Sequence, residues 1–402
     1  MRFDIIHSMK ISAVVCRSFA RGVGAAGIAV ALVTGCTSGE CARVAKENPL
    51  KVGVYVGAGA QSNGVCYWQK LTTLSPDVEP RFLDEKLIAA GGLDGLDLVV
   101  MPGGSSYLEF ETMQTTGADQ KLKDFIRNGG GYIGTCAGNC MILNGKKRLS
   151  ISPYVYKANS RGHGTALLAM KFNEKAKARC GISPKTRFVR YSGGPIMEEG
   201  APVEGAQFDT IAVYDCDLVC EYGTNKNVIA SMKGAPAAVC GTYGKGRVFA
   251  IATHPEYRAD TLDILEGAFR YVSGRQDVRF VRSHRQKGDL SVAVYAPGVM
   301  GVADAKMIAE LVTTPGLDVT FVNQPEEIGV GCLDHVDALV LPAGRKALYK
   351  KKMQRGTRED FARFAARGGK VFAVGTGVEY APKGAVACAS QDEVVRQLKE
   401  IR

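Results

Sequence analysis

Three separated segments of this chain recur at one interval, and that recurrence limits the folds open to it more than any other feature. Leu290 to Pro297 (LSVAVYAP) repeats the character of Leu50 to Gly57 (LKVGVYVG) about 240 residues further on. Asp337 to Gly344 (DALVLPAG) repeats Asp97 to Gly104 (DLVVMPGG), and Phe364 to Gly369 (FAARGG) repeats Phe125 to Gly130 (FIRNGG) with one residue lost. Chance does not readily keep one offset over three segments, so we read an internal duplication. Each copy alternates short β-branched runs with helical stretches, the pattern of a mostly parallel sheet carrying helices on both faces. The expected fold class is α/β: a three-layer, mostly parallel sheet followed by a second, smaller α/β domain. A length of 402 residues suits two domains better than one, and 46% apolar with 23% charged residues argues against disorder.

The N-terminus reads as an export signal. Arg2, Lys10, Arg17 and Arg21 precede an uncharged run from Gly22 to Thr34, which is too short to span a bilayer. It ends in Val33-Thr34-Gly35-Cys36, which resembles a bacterial lipobox, where the peptide is cut before the cysteine and its thiol is lipidated. An ordinary secretory signal cut at another small residue, or a plain membrane anchor, would equally export the chain. Met9-Lys10 is a second candidate start, and Thr37 after Cys36 is what the lipoprotein resemblance associates with the outer membrane. The layout is then a signal peptide over 1–35, a tether over 36–49, a main domain over 50–275, a polar and basic linker over 276–288 and a second domain over 289–402.

The net charge of +11 tempts a nucleic-acid reading, so its location matters. Much of it lies between Arg345 and Lys370, where Lys350, Lys351, Lys352, Arg355, Arg358, Arg363 and Arg367 face only Glu359 and Asp360. No interleaved aromatics accompany them, so a solvated basic helix face is expected and no nucleic-acid partner. Of the 12 cysteines, Cys16 leaves with the signal and Cys36 takes lipid, and an oxidising compartment would let some of the others pair. Cys216 and Cys220 are spaced to share one strand face, but no cysteine spacing suggests zinc. Neither a metal nor a cofactor is expected.

Chemistry concentrates at Gly134-Thr135-Cys136-Ala137-Gly138, set between a buried strand, Tyr132 to Thr135, and a helix starting near Gly138. This is the setting of a nucleophile elbow with Cys in place of Ser. A nucleophile on so sharp a turn crowds the residues two places to either side, which explains the glycines. A helix N-terminus also favours a thiolate, and the Ala137 amide points to where an oxyanion would form. Alone the pattern is weak, with about 0.2 chance matches expected. Its context is the buried strand Val248 to Thr253 (VFAIAT), followed at once by His254-Pro255-Glu256. Here His254 is the candidate base for Cys136, and Glu256 the group that orients the imidazole.

The order Cys, His, Glu, with the last two one residue apart, resembles the class I glutamine amidotransferases over roughly Leu50 to Ser273. That resemblance implies a flavodoxin-like sheet and hydrolysis of a side-chain amide through a thioester. It also assigns the second oxyanion amide to the Pro102-Gly103-Gly104-Ser105 turn, making Gly103 or Gly104 the candidate donor. Tyr55 to Ser62 (YVGAGAQS), the elbow and Tyr191-Ser192-Gly193-Gly194-Pro195 together look like the amidotransferase-like N-terminal domain of some biotin-protein ligases. No ligase domain with a biotinyl-adenylate loop follows, so biotin ligation is not expected. Gly57-Ala58-Gly59 lacks a phosphate-loop spacing and is read as lining the site beside Cys136. His163 is read as structural, and Cys140 as a core thiol or a resolving thiol under oxidation.

In the second copy Gly375 falls opposite Cys136, and nothing matches His254-Pro255-Glu256. That half is read as kept for packing, partner binding or a lid. The leading function is a Cys-dependent hydrolase of an amide or related acyl bond, taking a small-molecule or peptide amide and held to a membrane by its lipid. A binding or scaffold module with an idle triad is the alternative, and a thiol-based redox role a third. Oligomeric state stays open.

Overall fold

The structure is a computed structural model that describes residues 47–60, 62–157, 164–222, 225–282, 286–299, 301–322 and 332–401. The export signal, Cys36 and His163 lie outside the described residues, as does the side chain of Cys220.

Two sheets organise the chain. The first takes β1 (Leu50–Tyr55), β2 (Val78–Leu83), β3 (Leu98–Met101), β4 (Gly131–Thr135), β6 (Thr165–Phe172), β7 (Thr186–Ser192), β9 (Ala206–Tyr214), β12 (Pro236–Tyr243) and β13 (Gly246–Ile251). Their order is β2-β1-β3-β4-β13-β12-β9-β6-β7. The first five run parallel, because the helices between them bring each strand back to the same edge. From β13 onward the pairings are antiparallel. The short turn at Gly244-Lys245 makes β12 and β13 a hairpin, which a parallel pair could not be. Two small ribbons, β5 (Tyr154–Tyr156) with β8 (Met197–Glu199) and β10 (Leu218–Tyr222) with β11 (Asn225–Ala230), stand beside the main sheet.

The second sheet has β14 (Leu290–Tyr295), β15 (Leu317–Val322), β16 (Ala338–Leu341), β17 (Lys370–Val374) and β18 (Val386–Cys388), all parallel, in the order β15-β14-β16-β17-β18. Its registers copy the first. Val52 faces Leu98 and Val54 faces Val100; Val292 faces Ala338 and Val294 faces Val340.

The two lobes pack through the helix Ser62–Leu74, which lies on the helix Gly301–Thr313. Cys66 is buried in the second lobe's core, and Lys70 Nζ donates to the Val319 carbonyl at 2.6 Å. The connecting segment is polar in composition yet docked. Val278 and Phe280 are buried, Phe280 meets Phe269 at 5.0 Å, and Arg282 pairs with Glu266. Alternating apolar residues inside a basic stretch explain this, since only Val278 and Phe280 need to face inward.

Two readings of single residues shift. Cys216 precedes β10 instead of sharing its face, because the Asp217 carboxylate accepts from Met232 N and Lys233 N and turns the chain there. No disulfide joins the eight cysteines whose thiols are described, Cys66, Cys136, Cys140, Cys180, Cys216, Cys240, Cys332 and Cys388. The late basic segment forms the helices Lys346–Lys352 and Arg355–Ala366. Tyr349, Phe361 and Phe364 face the core, while Lys350, Lys351, Arg355, Arg358, Arg363 and Arg367 are exposed.

Candidate active site

Cys136 closes β4 and caps the six-residue helix Ala137–Ile142, which starts one residue earlier than its sequence pattern suggests. Its backbone lies at φ 51° and ψ −104°, a region that side chains rarely adopt. The bend is held from both sides, since Cys136 N donates to Ile251 O at 2.9 Å and Cys140 N donates to Cys136 O at 3.1 Å. Both flanking glycines are required by close approach. A methyl group at Gly134 would lie 2.6 Å from the Gly138 carbonyl, and one at Gly138 would collide with Met101 O. As the first helical residue, Ala137 has an amide with no acceptor inside its helix. From below, Trp68 Nε1 donates to Thr135 Oγ1 at 3.2 Å and fixes the end of the strand.

His254 arrives from β13, the strand next to β4. Its amide donates to Arg190 O at 2.7 Å, so the end of β7 sets where the imidazole starts. Pro255 to Tyr257 form a single tight turn, and Thr261 Oγ1 donates to Pro255 O at 2.7 Å to hold it. The turn points Glu256 back at the ring, with Glu256 Oε1 2.7 Å from His254 Nδ1, which leaves Nε2 for other work. Both residues are buried. Burial works against a charge on the imidazole, but the Glu256 carboxylate and then the Cys136 sulfur outweigh it and push His254 up to about 10.

Cys136 and His254 meet over Gly103. A methyl group there would collide with His254 Cε1 and lie 3.2 Å from Cys136 Cβ. The Cys136 sulfur also lies 3.6 Å from Ser192 O, within reach of S–H donation. Gly104, next in the turn, is exposed and bridges to Ala60. Gly57 and Gly59 sit further off. Gly57 lies against Glu85 and Tyr55, while Gly59, at φ 91°, lies against Glu109 and accepts from Ser105 N at 2.9 Å. Cys140 is a buried thiol, pushed up to about 12 by burial and then by its neighbour Cys136.

Two residues that belong to this site carry no motif. Gly64 lies inside the helix Ser62–Leu74, and a methyl group on it would lie 3.0 Å from Glu256 Oε1 and 3.3 Å from His254 Nδ1. Its only sequence signal is a glycine within a helical stretch. Glu109 is fully buried on the helix Ser106–Thr116, and neither of its carboxylate oxygens has a hydrogen-bond partner. Burial, then the Cys136 sulfur, hold its carboxyl well above the ordinary range, so it is neutral at pH 7; Arg148 pulls weakly the other way.

Residues 50–142 match the family described as "Biotin-protein ligase, N terminal". The pyridoxal 5'-phosphate synthase subunit PdxT of Bifidobacterium adolescentis is 28% identical over 177 residues, covering 42% of this chain and 79% of that protein. The PdxT of Thermosipho africanus is 28% identical over 170 residues, covering 42% and 76%. A solved structure described as a glutamine amidotransferase aligns with 56% of this chain and 99% of its own, at 18% identity and a TM-score of 0.38. The first lobe is thus class I glutamine amidotransferase-like, with a biotin-protein ligase N-terminal segment and distant PdxT homologues.

Proposed function

We propose that the chain is a cysteine-dependent hydrolase of an amide or related acyl bond, with Cys136 as nucleophile, His254 as base and Glu256 as orienter. The observation that supports it best is the convergence of Cys136 and His254 over Gly103 while Glu256 Oε1 holds the opposite ring nitrogen at 2.7 Å. In the first half-reaction the thiol proton passes to His254 and sulfur attacks the carbonyl carbon. The carbonyl oxygen then takes up negative charge, which the amides of Ala137 and of Gly103 or Gly104 would stabilise. The C–N bond breaks, the imidazolium returns its proton to the leaving amine, and a thioester remains. Water, deprotonated by His254, splits the thioester and regenerates the thiol. An imidazole held near 10 is well suited to the donating step, because it keeps its proton at neutral pH until the amine departs.

The reading extends to the rest of the chain. The export signal and lipid at Cys36 place the site outside the cytoplasm, where a peptide or γ-glutamyl-type amide is a more natural substrate than free glutamine feeding a synthase. The matching registers of the two sheets support an origin by duplication, with the second lobe over 289–402 having lost its nucleophile. That loss also favours the second reading, a binding or scaffold module whose first site is idle. Alkylation of Cys136 against pH, with Cys136→Ala as blank, and a screen of amide and thioester substrates separate the two. A thiol that reacts only in the range of free cysteine, about 8.5, with no turnover of any substrate, would discard the hydrolase.

A further inference from the structure

We infer that the cleft between the two lobes is the specificity pocket of the Cys136 site, and that it takes an amide whose apolar body ends in a carboxylate. The inference rests on the hydrolase reading and adds to it a substrate class and a task for the second lobe. The cleft has a volume of about 550 Å³, within the range of small-ligand sites. Its walls come from both sheets. The first lobe supplies Tyr67, Thr165, Arg190 and Tyr257, and the second supplies the C-terminal end of β15, with Phe321 at its centre.

The cleft adjoins the reacting groups on two sides. Thr165 pairs across the β6–β7 ladder with Ser192, whose carbonyl faces the Cys136 sulfur at 3.6 Å. Arg190 pairs through its carbonyl with the His254 amide, and the Tyr257 ring lies 5.2 Å from the imidazole. A ligand in the cleft is therefore one residue away from both the nucleophile and the base.

Its chemistry is specific. Tyr67 stands 4.9 Å from Tyr257 and 5.3 Å from Phe321, forming an aromatic wall that crosses from one lobe to the other. The Arg190 guanidinium lies over the Tyr257 ring at 4.6 Å, which holds a planar donor fork at the edge of that wall. Arg258 is engaged by Asp260 through two hydrogen bonds, so Arg190 carries the charge that a ligand meets. Among the described residues no carboxylate lines the cleft. Apolar rings beside one cation favour a monoanion with an apolar body. The second lobe, without a nucleophile of its own, thus decides what reaches the nucleophile of the first.

The test compares iodoacetate, an anion, with iodoacetamide, its neutral counterpart, as alkylators of Cys136 in the full chain, subtracting the Cys136→Ala background. Arg190→Gln removes the cation, and Thr320→Glu sets an opposing charge on the second lobe's wall. The ratio of iodoacetate to iodoacetamide rates is expected to fall about fivefold in each variant. In the unaltered chain 3-phenylpropionate should protect Cys136 and 3-phenylpropionamide should not. An unchanged ratio in Thr320→Glu, or equal protection by acid and amide, overturns the proposal. A thiol inert to both reagents would sink the hydrolase reading instead, and thermal unfolding then judges the cleft. If 3-phenylpropionate raises the melting temperature of the unaltered chain but not of Thr320→Glu, the pocket stands; if it raises neither, the pocket falls.

Discussion

The same backbone bend occurs twice in this molecule, once with a thiol on it and once without. Cys136 has φ 51° and ψ −104°; Gly375 has φ 54° and ψ −125°. Each follows a parallel strand, β4 or β17, and opens a short helix. Each is followed two residues later by a glycine pressed on a carbonyl of the neighbouring strand, Met101 O beneath Gly138 and Leu341 O beneath Gly377. Around that shared bend the surroundings diverge. Where the first lobe has Gly103 beneath His254, the second has Ala343, and where the first has the unpartnered carboxyl of Glu109, the second has Tyr349, whose hydroxyl donates to Pro342 O at 2.6 Å. The lobe that keeps a strained cysteine also keeps a buried polar group without a partner; the lobe that gave up the thiol satisfies its own. Strain and unmet polarity stay where chemistry is proposed and disappear where it is not.

Turning the first bend into the second should have the largest effect. Cys136→Gly is expected to lower turnover by at least about 10³-fold while raising stability by about 1 kcal/mol, since glycine accepts this φ without strain. Kinetics and denaturant midpoints check both halves, and retained turnover would break the contrast. Gly103→Ala copies Ala343 into the first lobe, and its methyl would displace the imidazole. A drop in kcat of about 100-fold is expected with the fold intact, whereas Ala343→Gly should leave the activity unchanged.

The imidazole offers a third test. His254 has a folded-state value near 10, above its ordinary 6.5, so its contribution to stability is complete below about pH 6.5 and is lost as pH climbs through about 10. Urea titrations should therefore show a loss of about 2 kcal/mol between pH 6 and pH 10 that His254→Gln does not share. A parallel pH dependence in the two proteins would mean that the His254–Glu256 pair is not charged. Smallest is the effect at Glu109. Its carboxyl is raised, so whatever it contributes is present below about pH 4.3 and lost on ionisation at higher pH. Glu109→Gln should match the unaltered protein at pH 4 and exceed it by about 1 kcal/mol at pH 8, and a destabilised variant at pH 8 would contradict the neutral buried carboxyl.

Much of this was legible in the sequence because it is local or repeated. The bend at Cys136 shows in its glycines, the turn at His254 in its proline, and the α/β class in strands β1, β3, β4 and β14, whose apolar runs fall within a residue or two of the observed bounds. What escaped depends on contacts across the chain. Gly64 reads as an ordinary helix defect until β13 sets His254 and Glu256 against it. Glu109 reads as one more surface acid of an amphipathic helix, because nothing local reveals that its turn faces Cys136. The antiparallel half of the first sheet follows from the β12–β13 hairpin, whose turn lacks the usual Asn-Gly or Asp-Gly signature. Composition hid the docking of Val278 and Phe280, since two apolar residues cannot colour a basic stretch.

The helix Ser62–Leu74 serves both cores at once, giving Trp68 to one and Cys66 to the other. An amputation after Phe280 would therefore not release a self-sufficient amidotransferase-like unit. It would bare Cys66, strip Lys70 of the carbonyl that its ammonium binds, and leave an oily stripe on the scaffold that carries Gly64. The smallest autonomous piece of this molecule is both lobes together.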